Sequence, residues 1–144
     1  MSHYKLLSFI FILLFASILW MNVSGNISNH SDKIDADHHK VYELRTYTTF
    51  EGKLDDLHRR FADHTMALFE KHGMENLSYW TPMDKENTLI YIVAHDSREA
   101  AEKSWQDFRN DPEWQKAYED SRKDGPIVEK VESVFMKKTD YSPM

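Results

Sequence analysis

The chain has 144 residues, a formal charge of −6 from 18 basic and 24 acidic side chains, and no cysteine. An acidic chain without a clustered Lys/Arg stripe is not equipped to bind phosphate backbones, so no nucleic-acid partner is expected. The missing thiols exclude disulfides, thiolate metal centres and anchoring through a lipid-modified cysteine.

Met1 to Lys5 carries one lysine, Leu6 to Met21 is almost wholly apolar, and Val23-Ser24-Gly25 supplies small residues. This is the layout of an export signal, so residues 1–25 are read as a signal peptide and the mature protein as periplasmic or secreted. The alternative is a membrane anchor through residues 6–23, because the apolar run approaches the roughly 18 to 20 residues that span a bilayer. Residues 26–40 are polar, rich in aspartate and histidine and without apolar periodicity, and are expected to be a disordered linker. His30, Asp32, Asp35, Asp37, His38 and His39 have the chemistry of metal ligands, but no rigid element fixes them and no metal is expected.

Residues 41–142 are the length of one domain. Val41 to Phe50 alternates as a strand, placing Tyr42, Leu44 and Thr46 on one face and Glu43, Arg45 and Tyr47 on the other. Gly52 permits a turn, and Leu54, Leu57, Phe61, His64 and Leu68 recur at helical spacing until Lys71-His72-Gly73 stops the helix. Met74 to Thr81 and Thr88 to His95 read as an antiparallel hairpin across the polar turn Asp84 to Asn87. Asp96, with Glu99 three residues on, is the expected cap of the second helical region. Asp111-Pro112-Glu113 begins a further helix: an acceptor at the cap, proline where its missing N–H costs nothing, and an acid near the positive end of the dipole. Val128 to Lys137 alternates as a half-buried last strand. The order is that of a ferredoxin-like βαββαβ domain of the α+β class. Such a domain covers one sheet face with its helices, and a second copy pressing on the other face would form a homodimeric α+β barrel.

Tyr42 to Tyr47, Phe69-Glu70-Lys71-His72-Gly73, Tyr79-Trp80-Thr81-Pro82, Ser104-Trp105 with Phe108, Asp111-Pro112-Glu113-Trp114 and Val131 to Phe135 together resemble the NIPSNAP family. The resemblance runs in order over nearly the whole domain and implies the dimeric α+β barrel, a fold shared with cofactor-free monooxygenases and isomerases. It implies no single reaction. Animal members of the family look like mitochondrial scaffold proteins, whereas this chain starts with an export-type leader, so those roles are not carried over.

His64 falls on the apolar stripe of the first helix and is the candidate catalytic residue, as a general base or an axial metal ligand; the alternative is a core histidine hydrogen-bonded to backbone or to Asp63, Arg45 or Tyr47. Glu43, Arg45 and Tyr47, with Trp80 and Trp105, are expected to line a pocket or an interface, because buried charges must be paired in either setting. His58 and His72 read as surface residues and His95 as a polar boundary residue. No zinc spacing, nucleophile elbow, phosphate loop or dinucleotide fingerprint occurs, and no cofactor is expected. The expected function is an exported, homodimeric small-molecule-binding or accessory protein. The alternative is a cofactor-free monooxygenase or isomerase acting on an apolar, carbonyl-bearing substrate.

Overall fold

The computed structural model describes residues 40–143; the leader and all of the linker except Lys40 lie outside them. Strand β1 (Val41–Thr49) leads into helix α1 (Leu54–Arg60), a π-helical turn (Phe61–Thr65) and helix α2 (Met66–Lys71), which follow one another without a break. Strands β2 (Glu75–Trp80) and β3 (Thr88–His95), helices α3 (Arg98–Asn110) and α4 (Pro112–Asp120), and strand β4 (Val128–Met136) complete the domain. The four strands form one sheet in the order β2-β3-β1-β4, every neighbouring pair antiparallel. The α+β class read from the sequence therefore holds. Among the described residues no helix is long and apolar enough to cross a membrane.

Local chemistry explains most boundaries. Gly73, at φ +75°, follows the helix end: its N–H donates to the Glu70 carbonyl and the Met74 N–H to the Phe69 carbonyl, the two bonds of a Schellman stop. Asp111 caps α4, its carboxylate accepting from the Glu113 N–H at 2.8 Å, with Pro112 at the first turn as expected. The cap of α3 is one residue later than expected. Ser97, not Asp96, accepts from the Ala100 N–H at 3.1 Å, because Ser97 takes the extended backbone a cap requires.

The register sets the two faces of the sheet. Glu43, Arg45 and Tyr47 stand opposite Val93, Tyr91 and Leu89 of β3, and all face the helices. There Leu57, Phe61, Leu68, Phe69, Met74, Tyr91, Val93 and Phe108 build the core. Tyr91 lies at its centre, its ring within 6 Å of those of Tyr47, Phe61, Phe69 and Tyr79. The opposite face carries Leu44, Thr46, Ile90 and Ile92, half-buried, with Val134 and Trp80 exposed. Strand β4 departs from the expected half-buried pattern, since Glu129 to Val134 are exposed. It is an edge strand, and its helix-side residues lie beneath a cleft that the helices leave open.

Candidate functional site

The strand face of Glu43, Arg45 and Tyr47 begins with a fully buried carboxylate. Glu43, 1% exposed, accepts four hydrogen bonds. Arg45 Nη1 and Ser133 Oγ each donate to Oε1 at 2.6 Å. Trp105 Nε1 donates to Oε2 at 2.6 Å and His95 Nε2 at 3.1 Å. Burial alone would raise the Glu43 carboxyl, but the bonds from His95, Ser133 and Trp105 and the charge of Arg45 outweigh it and hold the pKa at about 2. Glu43 thus remains an acceptor at any working pH, and its role is to fix what surrounds it. Burial opposes the charge on Arg45 as well, yet the neighbouring Tyr47, Tyr91 and Glu43 raise its pKa above the ordinary value. The guanidinium lies 4.3 Å from the centre of the Trp105 ring, a stacked cation that the carboxylate holds in place.

Beyond Arg45 opens a cleft of about 420 Å³ between β1 and helices α3 and α4. Tyr47, Trp105, Phe108, Trp114 and Tyr118 form its aromatic walls, and Arg45, Arg109, Gln115 and Glu119 are its polar groups. The volume and the mixture of apolar wall with a few fixed polar groups are those of a small-molecule site. A second chamber of about 250 Å³ shares Tyr47, Phe108, Trp114 and Tyr118 with the cleft and reaches Arg60 and the π turn.

The structure brings Glu43, Arg45, Tyr47 and Trp105 together on the helix side of the sheet, with Arg45, Tyr47 and Trp105 lining the cleft and Glu43 behind them. Trp80 is elsewhere: it stands 49% exposed at the edge strand β2, beside a separate hollow with His58 and Tyr79. His64 is not on the buried stripe. It is exposed, in a groove between the π turn, α2 and α4 that shares no residue with the Arg45 cleft. The π turn is the reason, because its extra residue advances the inward face from position 64 to Thr65, which is 1% exposed. The Thr65 hydroxyl donates to the Arg60 carbonyl at 3.1 Å. His72, read as surface, is partly buried with Nε2 at 2.7 Å from Asp111.

Two contributors were not singled out from the sequence as site residues. His95, read as a boundary residue, is 1% exposed and donates to Glu43. Ser133 reaches the same carboxylate from β4. The strand alternation contained a signal for both, because once β1 lies between β3 and β4 the helix-facing polar residues of all three strands converge. None of the four described histidines, His58, His64, His72 and His95, lines the cleft.

A four-stranded antiparallel sheet with helices on one side and an aromatic, guanidinium-bearing cleft between the layers defines an α+β domain with a cleft of small-molecule size. The chain belongs to the NIPSNAP family, whose model matches residues 42–143. A NIPSNAP-like domain protein from Burkholderia xenovorans is 17% identical, with a TM-score of 0.65 over 74% of this chain and 91% of its own. A NIPSNAP family protein of unknown function from Agrobacterium tumefaciens is 24% identical, with a TM-score of 0.65 over 74% of this chain and 94% of its own. SnoaB, a cofactor-independent oxygenase from Streptomyces nogalater, is more distant at 17% identity and a TM-score of 0.54, over 74% of this chain and 99% of its own. At these identities the likeness is one of fold. No curated protein matches the chain.

Proposed function

We propose that this domain binds a small, largely apolar molecule in the Arg45 cleft, as an exported, homodimeric accessory protein without catalytic turnover. The observation that carries the reading is the cleft itself: about 420 Å³, aromatic on most sides, with a guanidinium locked by Glu43 as its fixed polar point. A preorganised donor in an apolar cleft gives orientation at little entropic cost. The strand order β2-β3-β1-β4 supports the ferredoxin-like arrangement. The apolar strip Leu44, Ile90, Ile92 and Val134 on the face opposite the helices, bordered by the Lys130–Glu132 pair, supports a second copy as its cover, giving a dimeric barrel. Export rests on the composition of residues 1–25, and a mature amino terminus near Asn26 in protein recovered outside the cytoplasm is its expected mark.

A thermal-shift screen of apolar carbonyl and aryl compounds on the full-length chain tests the binding reading. Hits should raise the midpoint and perturb tryptophan fluorescence, since Trp105 and Trp114 line the cleft. Gln115→Trp, a change at an exposed rim position, should fill the cleft and weaken hits tenfold or more. His64→Ala should change neither folding, by more than about 0.5 kcal/mol, nor binding. Hits that bind Gln115→Trp as well as the parent would move the site elsewhere, and a screen without hits would remove it.

A cofactor-free monooxygenase or isomerase is the second reading, favoured by the position of Arg45, which suits stabilisation of an enolate oxygen against an aromatic wall. The fold likeness to SnoaB agrees with it. With no described histidine in the cleft, the carboxylate available as a base in its lining is Glu119. Exchange of solvent deuterium at the carbon beside an aryl ketone carbonyl, or oxygen uptake with the same compound, would establish turnover and displace the non-catalytic reading.

A further inference from the structure

Two guanidiniums, half-buried Arg45 and buried Arg60, lie between the sheet and the helices, and only one is neutralised. Arg45 carries Glu43. Arg60, at the end of α1, is 4% exposed but pairs with no carboxylate among the described residues. Its Nη1 donates to the Ser121 hydroxyl at 3.3 Å, and its Nε is buried without a partner. The rings of Trp114 and Tyr118, each 5.4 Å from the guanidinium carbon, offer cation–π attraction and no counter-charge. Burial pulls its pKa below the ordinary arginine value. A buried charge without a counterion is costly, and native domains pair such groups or place them where a ligand will.

Arg60 lines the 250 Å³ chamber that adjoins the cleft, together with Tyr47, Phe61, Phe69, Trp114 and Val131. Lys130, which also lines it, is paired with Glu132 at 2.8 Å, and the one carboxylate in the lining, Glu129, is exposed and makes no ion pair with Arg60. The π turn starts at the next residue, and local helix irregularities of this kind concentrate where a helix must present a group to a site.

We propose that Arg60 is the anion-recognition group of this site, and that the ligand is an aromatic-sized apolar monocarboxylate whose carboxylate enters the inner chamber while its body fills the cleft. The planar guanidinium fork suits a carboxylate, and the aromatic walls suit an unsaturated body. The inference rests on the cleft being a ligand site and adds the ligand's charge and its partner residue.

The test is the binding of 2-naphthoate and of its neutral isostere 2-naphthamide to the full-length parent, Arg60→Lys and Arg60→Met, by calorimetry and tryptophan fluorescence. The acid should bind the parent at least tenfold more tightly than the amide. Arg60→Met should abolish the preference for the acid over the amide, with Arg60→Lys between. Without ligand, Arg60→Met should raise the thermal midpoint, because it replaces an uncompensated buried charge with an apolar side chain of similar length. Equal binding of acid and amide by the parent would overturn the role of Arg60 and leave the cleft standing. Binding of neither would overturn both. A sharply lowered unligated midpoint in Arg60→Met would make Arg60 a structural residue, and if that variant does not fold, Arg60→Lys decides the matter: an acid-to-amide ratio equal to the parent's would overturn the role of Arg60.

Discussion

Glu43→Gln lowers the stability of the domain by about 3 to 5 kcal/mol, the cost of breaking a buried ion pair from one side. The substitution keeps the shape and removes the charge. One carboxylate oxygen becomes an amide nitrogen facing two donors, and Arg45 is left in the layer between sheet and helices without its partner. The pH dependence follows from the same group. Its folded pKa, about 2, lies below the ordinary value of 4.5, so its contribution is fully present above about pH 4.5 and is lost as the pH falls toward 2. The size of that loss is about 3 kcal/mol. Denaturant midpoints of parent and variant between pH 7 and pH 2.5 check both statements. In the variant the acid-side slope due to this group disappears, and an unchanged slope would mean that Glu43 is not the carboxylate responsible.

If the proposed second copy covers the open sheet face, Ile92→Lys is expected to weaken the dimer. Ile92 lies on the central strand β3 opposite Leu44 of β1, in the middle of the face that the helices leave uncovered. Within one copy a lysine there has room to reach water. Pressed against a second sheet it must be desolvated, which should weaken association by about 2 kcal/mol or more, roughly thirtyfold in Kd. Sedimentation over a dilution series should show a dimer for the parent and, for the variant, a monomer–dimer midpoint shifted about thirtyfold or more to higher concentration, with its secondary structure retained. A parent that sediments as a monomer would remove the barrel arrangement, while the cleft, built within one copy, would remain.

The amino-acid sequence determined the order of elements, the stops and the family, because these depend on neighbours a few residues apart. Gly73 ends a helix and Asp111-Pro112 begins one through bonds within a single turn of chain. The alternation from Val41 to Tyr47 likewise settled that Glu43, Arg45 and Tyr47 share a face. Tertiary structure decided what that face meets. His95 and Ser133 reach Glu43 across 52 and 90 residues of chain, and no local pattern encodes which strand becomes the neighbour of β1. The first helix shows the opposite limit. A period of 3.6 put His64 inward, and a single π turn, which leaves no mark in propensity or spacing, put Thr65 there instead. The same packing decided the contrast between two arginines that look alike in sequence: Arg45 is half-buried and paired with an acid two residues away on its own strand, whereas Arg60 is buried against two rings and, among the described residues, pairs with no carboxylate.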